Sequence, residues 1–343
     1  MDKLRLLLGV SLGLGLAGCE TVVDVDTPPH TPRMALSYTL SNTPPEPPTT
    51  TNNRSFFEQR KLYVSSSQGV LETKELTGRG DATVQLFDES GQLVEQFRSK
   101  AQPGYYSGGS RPDSIYGDYA PTRGFAGVPG RRYTLRASAP GVEAVEASLR
   151  LPAVPTIESV GYVARPRDPN SGGPYGYVDY GGRLTVAVAD NPATTDYYLA
   201  YARVLDKQGN YWGGVSRDYS APGADGPDIN LSRFQLSQPD SFYSQYPYSD
   251  ATSSGPLLSF GTDVRLYFQG GYGSGGSIPE PGYLEVIVSS ITPDTYQFFQ
   301  SVLRFYNTDG NPFAEPAPLH SNLRGGYGLF GGATDAVYRI KLF

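Results

Sequence analysis

One cysteine and two histidines in 343 residues leave little material for thiol, imidazole or transition-metal chemistry. A single thiol excludes an intramolecular disulfide, so the folded chain must rest on the size of its apolar core. Charge is sparse as well: Lys, Arg, Asp and Glu together make up 18 % of the chain, and the net charge is −6. That balance excludes nucleic acid as a partner, because phosphate binding needs a Lys/Arg-rich surface. No apolar run is long enough to cross a membrane; the longest, residues 6–16, is about half of the ~20 residues a spanning helix requires. What is abundant is Gly (41), Pro (29) and Tyr (26), a composition that suits short strands joined by turn-rich loops and excludes a helical bundle.

The short apolar run has a clear use. Lys3 and Arg5 precede it, and Leu16-Ala17-Gly18-Cys19 closes it, which is the lipobox pattern of a cleaved export signal. Residues 1–18 are therefore expected to be removed and Cys19 to accept lipid, palmitate included, that holds the protein on a membrane. Each buried methylene contributes about 0.8 kcal/mol and stable anchoring takes at least two signals, so three acyl chains would be effectively permanent. Loss of Asp2, Lys3 and Arg5, together +1, takes the net charge from −6 to −7. Residues 19–32 read as an acidic, Pro-rich tether containing His30, which reads as a plain solvated residue. Two readings of Glu20, Asp24 and Asp26 stay open: an acidic tag that directs the protein to the cell surface, or merely a solvated tether.

Beyond the tether the pattern turns to period two. Met34, Leu36, Tyr38 and Leu40 alternate against small polar residues, and a stiff insertion follows at Pro44-Pro45-Glu46-Pro47-Pro48. Further strands are expected at residues 57–66, 82–88, 92–98, around Tyr133, Leu135 and Ala137, and around Val145, Ala147, Leu149 and Leu151. The reading is all-β: an immunoglobulin-like β-sandwich over 33–152, and a second β-rich, sandwich-like domain over 153–343 that begins past Pro152 and Pro155. In the second, strands are expected at 184–188, 197–205 and 284–288, and residues 206–256 form a long Gly/Ser/Asp/Pro/Tyr-rich stretch of the kind that is functional or disordered. One short helix is expected over about 293–306, with Thr292 as N-cap, Pro293 at its first position and Tyr296, Phe299 and Leu303 on one face, closing the end of a sheet.

No motif for catalysis, cofactor or metal stands up. GxSxG at residues 9–13 lies in the export signal, and GxGxxG at 13–18, 271–276 and 326–331 never falls between a strand and a helix. Asn307-Thr308-Asp309-Gly310-Asn311 resembles a calcium loop but has Pro318 where the bidentate Glu belongs. Arg79-Gly80-Asp81 reads as a turn, and Asp113-Ser114-Ile115 is similar to a short O-glycosylation acceptor. A carboxylate pair for glycan hydrolysis is not identified among the 34 acidic residues, because sequence spacing does not give the required separation. The remaining signal is aromatic: Tyr105, Tyr106, Tyr116, Tyr119, Tyr175, Tyr177, Tyr180, Tyr211, Trp212, Tyr243, Tyr246 and Tyr248 fall in expected loops. They form either a binding surface or wet β-loops in which Tyr stands for Phe.

Near the C-terminus, Ser290-Ile291-Thr292-Pro293-Asp294-Thr295-Tyr296, Asn311-Pro312-Phe313-Ala314-Glu315-Pro316 and Ser321-Asn322-Leu323-Arg324-Gly325-Gly326-Tyr327-Gly328-Leu329-Phe330-Gly331 resemble the closing pattern of a Bacteroidota outer-membrane lipoprotein family, catalogued as domain of unknown function four-two-four-nine. Asp190-Asn191-Pro192 leading into Tyr197-Tyr198 also fits. The resemblance spans about residues 33–343 and implies a non-enzymatic accessory to a TonB-dependent receptor, since members are generally encoded beside such receptors. It carries over no catalytic residue, cofactor or ligand. The expected function is ligand capture or covering of the barrel mouth; the rivals are an adhesive or structural surface protein and, more distantly, a glycan hydrolase.

Overall fold

The computed structural model describes residues 29–47, 55–69, 78–100, 117–165, 180–219, 234–253, 255–269, 280–308 and 318–342. By contacts, Met1–Thr31 and Gln68–Lys74 make one unit, whose described residues carry no regular secondary structure. Pro32–Ser67 and Glu75–Phe343 make the other, which holds every element named below.

Strict alternation in β1 (Met34–Ser41) sends Met34, Leu36, Tyr38 and Leu40 to one face, where all four are buried. β2 (Leu62–Ser66), β3 (Thr83–Asp88), β4 (Leu93–Ser99), β5 (Asp118–Pro121), β6 (Arg132–Ser138) and β7 (Val145–Arg150) add inward residues to the same core. Their spatial order is β7-β6-β3-β4-β5-β2-β1, antiparallel throughout. A second core is built by β8 (Ile157–Ala164), β9 (Tyr180–Ala189), β10 (Tyr197–Asp206), β11 (Tyr211–Arg217), β12 (Tyr248–Ser249), β13 (Leu257–Phe268) and β14 (Pro281–Ile291). Its order is β14-β10-β11-β13-β9-β8, with β12 paired to β10. β11 and β12 fall inside the 206–256 stretch, which therefore supplies sheet as well as loop.

The two halves meet in β15 (Tyr327–Lys341), which at 15 residues is longer than the usual strand of 3–10. Its first part runs parallel to β1, from Ala35↔Tyr327 to Ser41↔Ala333, and the rest antiparallel to β14, from Ile291↔Ala333 to Tyr283↔Lys341. β7 packs against β15 on the first side, with a bridge Glu146↔Arg324 just ahead of it, and β8 packs against it on the second. Each half is thus a sheet curled in sandwich-like fashion about its own core, and one strand serves both. The chain is all-β with a single α-helix among the described residues, as the alternation predicts.

That helix, α1 (Pro293–Thr308), covers the face of β10, β14 and β15 rather than closing a sheet end. Thr292 caps it, its Oγ1 accepting the Thr295 N–H at 3.4 Å, and Pro293 takes the first turn, where no N–H is needed. Phe298, Phe299 and Val302 bury against Leu199, Tyr201, Ile287, Ile291 and Leu329. β10 and β14 are consequently covered on both faces, with Ala200, Val204, Val286 and Val288 facing the second core, and their sequences lose the polar alternation seen in β1.

Just after β15 passes from β1 to β14 comes its one charged residue at the join, Asp335, which is buried, with a side chain only 1 % exposed. Arg60, from the 3-10 turn Glu58–Arg60, meets it with both terminal nitrogens, Nη1 to Oδ2 at 2.6 Å and Nη2 to Oδ1 at 2.9 Å. Ser289 Oγ donates to Oδ1 at 2.5 Å, and Ser41 Oγ and Thr43 Oγ1 donate to Oδ2 at 3.0 and 3.1 Å. The Asn42 side chain closes the backbone, accepting the Asp335 N–H at 2.7 Å and donating to its carbonyl at 3.2 Å. Burial opposes the charge on Asp335, but Arg60 and the hydroxyls outweigh it and hold the carboxyl below its ordinary range. The folded-state pKa is thus lower than the unfolded one, so this stabilisation is complete above about pH 4 and fades as pH falls through the folded value.

The closing motif, residues 321–331, serves the same join. Gly328 has φ +116°, and a Cβ there would overlap the Leu36 carbonyl oxygen of β1. Asn322 bonds both the N–H and the carbonyl of Phe330 at 2.9 Å, and Ser321 Oγ accepts the Gly328 N–H at 3.0 Å. The motif is a docking turn for β15. Gly328→Ala is expected to cost more than about 1 kcal/mol in urea unfolding. Gly91→Ala, at a hairpin turn with φ +81° and open space around it, should cost less, and equal costs would refute the clash. Asp335→Asn is expected to lose about 3–5 kcal/mol at pH 7, much of it restored when Arg60→Met and Asp335→Leu are combined. A loss for Asp335→Asn of less than about 1 kcal/mol would place the anchor of β15 elsewhere.

Candidate functional site

Arg60 also lines a cleft of about 100 Å³, bounded by the first core and the Pro-rich insertion. Inward alternation on β1, β4 and β5 brings Tyr38, Phe97 and Tyr119 to its wall, and Phe57 and Phe125 come from flanking turns. Tyr38 and Phe97 meet edge to face at 4.9 Å, and the Arg60 guanidinium carbon sits 3.7 Å from the Phe57 ring centre. The Tyr119 hydroxyl donates to the Arg79 carbonyl at 2.8 Å and accepts the Ala82 N–H at 2.9 Å, which fixes its ring. Exposed Lys100 and half-buried Lys61 are the lining cations nearer solvent.

Behind Tyr38 lies Glu95, 1 % exposed, whose carboxylate accepts the N–H groups of Gln96, Thr122, Arg123 and Phe125, each at 2.9 Å. Burial raises its pKa, but these donors win and hold it below the usual value, so a fixed negative charge shapes the wall at 122–125. Burial, and then that charge, push the Tyr38 phenol upward, so it stays a neutral hydrogen-bonding group. On the opposite side Pro44 and Pro45 are held down by Glu46, which takes a 2.6 Å ion pair from Arg203 of β10. Arg203 also binds buried Glu285 at 2.6 Å, and Arg339 of β15 binds the same carboxylate at 2.6 Å. The insertion is therefore pinned to the second core.

A volume near 100 Å³ is well below the ~300–1,000 Å³ of a drug-sized ligand site. It has room for one ring or one side chain. Rigid aromatic walls suit insertion of a single apolar group from a larger partner, since Arg60 is already neutralised by Asp335 and Lys61 is paired with Glu58.

The residues singled out in the sequence distribute unevenly. Cys19, Glu20, Asp24, Asp26, Tyr105, Tyr106, Asp113, Ser114, Ile115, Tyr116, Tyr175 and Tyr177 lie outside the described residues, as do the glycines at 271–276 and residues 309–311 of the calcium-like loop. Tyr119, Trp212 and Tyr248 are on strands and buried, and Tyr180 and Tyr211 are on strands and half-buried, so these rings pack the sheets rather than line loops. Tyr246 is half-buried, and Tyr243 is exposed beside Tyr306, ring centres 5.6 Å apart. Arg79 and Asp81 bind one another at 2.8 Å, so that tripeptide is closed on itself. His30 is exposed. His320 Nε2 contacts Asp294 Oδ1 at 2.9 Å, but the neighbouring Ser301 hydroxyl donates to the Phe298 carbonyl and accepts the His320 backbone N–H, so the three do not form a nucleophilic relay.

Sequence reasoning missed the pairing of Arg60 with Asp335, 275 positions apart, and the convergence of Asp190, Asp196 and Asp250. In the latter, burial and the neighbouring carboxylates push Asp250 up to about 6, against the lowering effect of the Asp196 N–H. Only the Asp190 to Asp196 spacing around Pro192 was available as a local signal.

No curated protein matches the chain. Among solved structures, an alpha-L-rhamnosidase from Dictyoglumus thermophilum is similar at 12 % identity and a TM-score of 0.25, over 76 % of this chain and 27 % of that one. The chain thus spans about a quarter of that protein's length, and a likeness so slight carries no inference about activity. The family model described as a domain of unknown function, DUF4249, matches residues 57–339, from just before the 3-10 turn bearing Arg60 to near the end of β15, and the chain belongs to that family.

Proposed function

We propose that this protein is a non-enzymatic outer-membrane lipoprotein, held by acyl chains on Cys19, that seats on a TonB-dependent receptor and covers or feeds its barrel. The lipobox at Leu16-Ala17-Gly18-Cys19 carries the reading, since it accounts for the short apolar run, the small residues before the cysteine and the single thiol together. The size of the aromatic cleft favours docking on the barrel over capture of a whole nutrient, because a cleft of about 100 Å³ admits one side chain of a partner loop and little else. The same protein fixed in a bilayer needs only modest affinity for a receptor that shares the membrane, as anchoring raises their effective concentration.

Gentle solubilisation of outer membranes bearing a tagged full-length copy is expected to co-isolate a receptor barrel; repeated recovery of the lipoprotein alone would sink the proposal. Pro44→Trp, at an exposed position on the cleft wall, should fill the cleft and lower receptor recovery while the melting midpoint holds. Cys19→Ala should leave the protein in the soluble fraction. On the reading of Glu20, Asp24 and Asp26 as a surface tag, protease added to intact cells digests the protein, and full protection would place it on the periplasmic side.

A further inference from the structure

Asp190 just past the end of β9, Asp196 just before β10 and Asp250 in the 3-10 turn Asp250–Thr252 bring one carboxylate oxygen each within 4.8 Å of one another. Calcium binds oxygens at about 2.3–2.6 Å, so two ligands on opposite sides of one ion stand about 4.6–5.2 Å apart. The three oxygens therefore fall within a single coordination sphere. Acidic clusters are common on protein surfaces, and the spacing alone decides nothing.

The buried side of the cluster decides more. Asp250 is 3 % exposed; its Oδ1 accepts the Asp196 N–H at 2.9 Å, but its Oδ2 is buried without a hydrogen-bond partner. Asp190 Oδ1 is in the same condition. Among the described residues no lysine or arginine forms an ion pair with any of the three. Among the described residues the other buried carboxylates are compensated: Asp335 has Arg60, Glu285 has Arg203 and Arg339, Asp218 has Arg165, and Glu95 has four backbone N–H groups. Among the described residues these two are the carboxylate oxygens buried without a hydrogen bond, and a bound cation would satisfy both.

We propose that Asp190, Asp196 and Asp250 bind one calcium ion, which staples the β9–β10 connection to the 3-10 turn at residue 250. The donor set is all oxygen and all carboxylate, which selects a hard cation over zinc or copper. Magnesium fits less well, because it keeps a tight octahedral shell of water, whereas these ligands come from a turn and two strand ends whose spacing suits a larger ion. The staple joins parts that the sheet leaves loosely tied. Asp250 already meets the 190–196 turn through the backbone, its N–H donating to the Asp196 carbonyl at 3.2 Å, and β12 beside it adds only two residues of pairing to β10. This site is independent of the lipid anchor and of the cleft.

Detergent-solubilised full-length protein, stripped with EGTA, can be titrated with calcium chloride by calorimetry while its melting midpoint is followed. One ion per chain should bind and the midpoint should rise by several degrees at saturation. Asp250→Asn and Asp190→Asn should each weaken calcium binding by about tenfold or more, whereas Asp88→Asn, at an exposed turn, should leave it unchanged. If one site variant does not fold, the other decides. Absence of any calcium response in the stripped wild type, a response that survives in the folded site variants, or a response to magnesium but not calcium would each overturn the assignment.

Discussion

One strand shared by two cores is the constraint on which this structure depends. β15 is parallel to β1 for its first seven pairs and antiparallel to β14 thereafter, and no other strand among the described residues changes partner and direction in this way. The crossover frees backbone and side-chain groups that a regular ladder would satisfy. Asp335 with Arg60, Asn42, Ser41, Thr43 and Ser289 answers that need in full, from the end of β1, the turn before β2 and the last part of β14. A buried ion pair adds little net stability compared with apolar packing, but a wrong register here would strand a carboxylate and a guanidinium in the interior. The pair therefore acts mainly on specificity, fixing where β15 leaves one core and enters the other.

The absence of disulfides finds its counterpart in the layering. α1 and the Phe56–Phe57 turn cover the outer face of β10 and β14, so these strands are buried on both sides and the second half has three layers where the first has two. Buried charge is handled throughout by converging donors: two arginines on Glu285, four N–H groups on Glu95, one arginine and three hydroxyls on Asp335. The Pro-rich insertion joins this pattern through Glu46 and Arg203, which makes a loop with no apolar anchor of its own into a wall of the cleft. The Asp190, Asp196 and Asp250 group departs from the pattern, and the departure is what marks it chemically.

The family match covers 57–339 and so includes the helix and every named strand but β1, with β15 nearly to its end. Rings that a sequence reading distributes among loops are in good part structural. Trp212 packs on Tyr180 and Phe268, and Tyr248 on Phe234, because β11 and β12 form inside a stretch with little visible period. The aromatic surface that does face a cavity, Tyr38, Phe57, Phe97, Tyr119 and Phe125, draws mostly on residues that read as ordinary core.

Local order was legible. Alternation at 34–40, 133–137, 145–151 and 184–188 depends only on successive side chains facing opposite ways, and the Thr292-Pro293 start of α1 depends only on the unsatisfied N–H groups of its first turn. β15 escaped because Gly328, Gly331 and Gly332 erase its period; they are there since β1, α1 and β7 approach too closely for side chains. β13 keeps a regular alternation, with Leu258, Phe260, Thr262, Val264 and Leu266 inward, and was overlooked rather than illegible; β8 escaped because none of its residues is fully buried and no apolar period marks it. The sequence by itself determined the all-β class and the helix, both of which follow from spacing along the chain. Only the tertiary structure decided that the last strand joins the first, that Arg60 meets Asp335, and that three aspartates share one point, because each depends on which distant segments the closed sheets bring side by side.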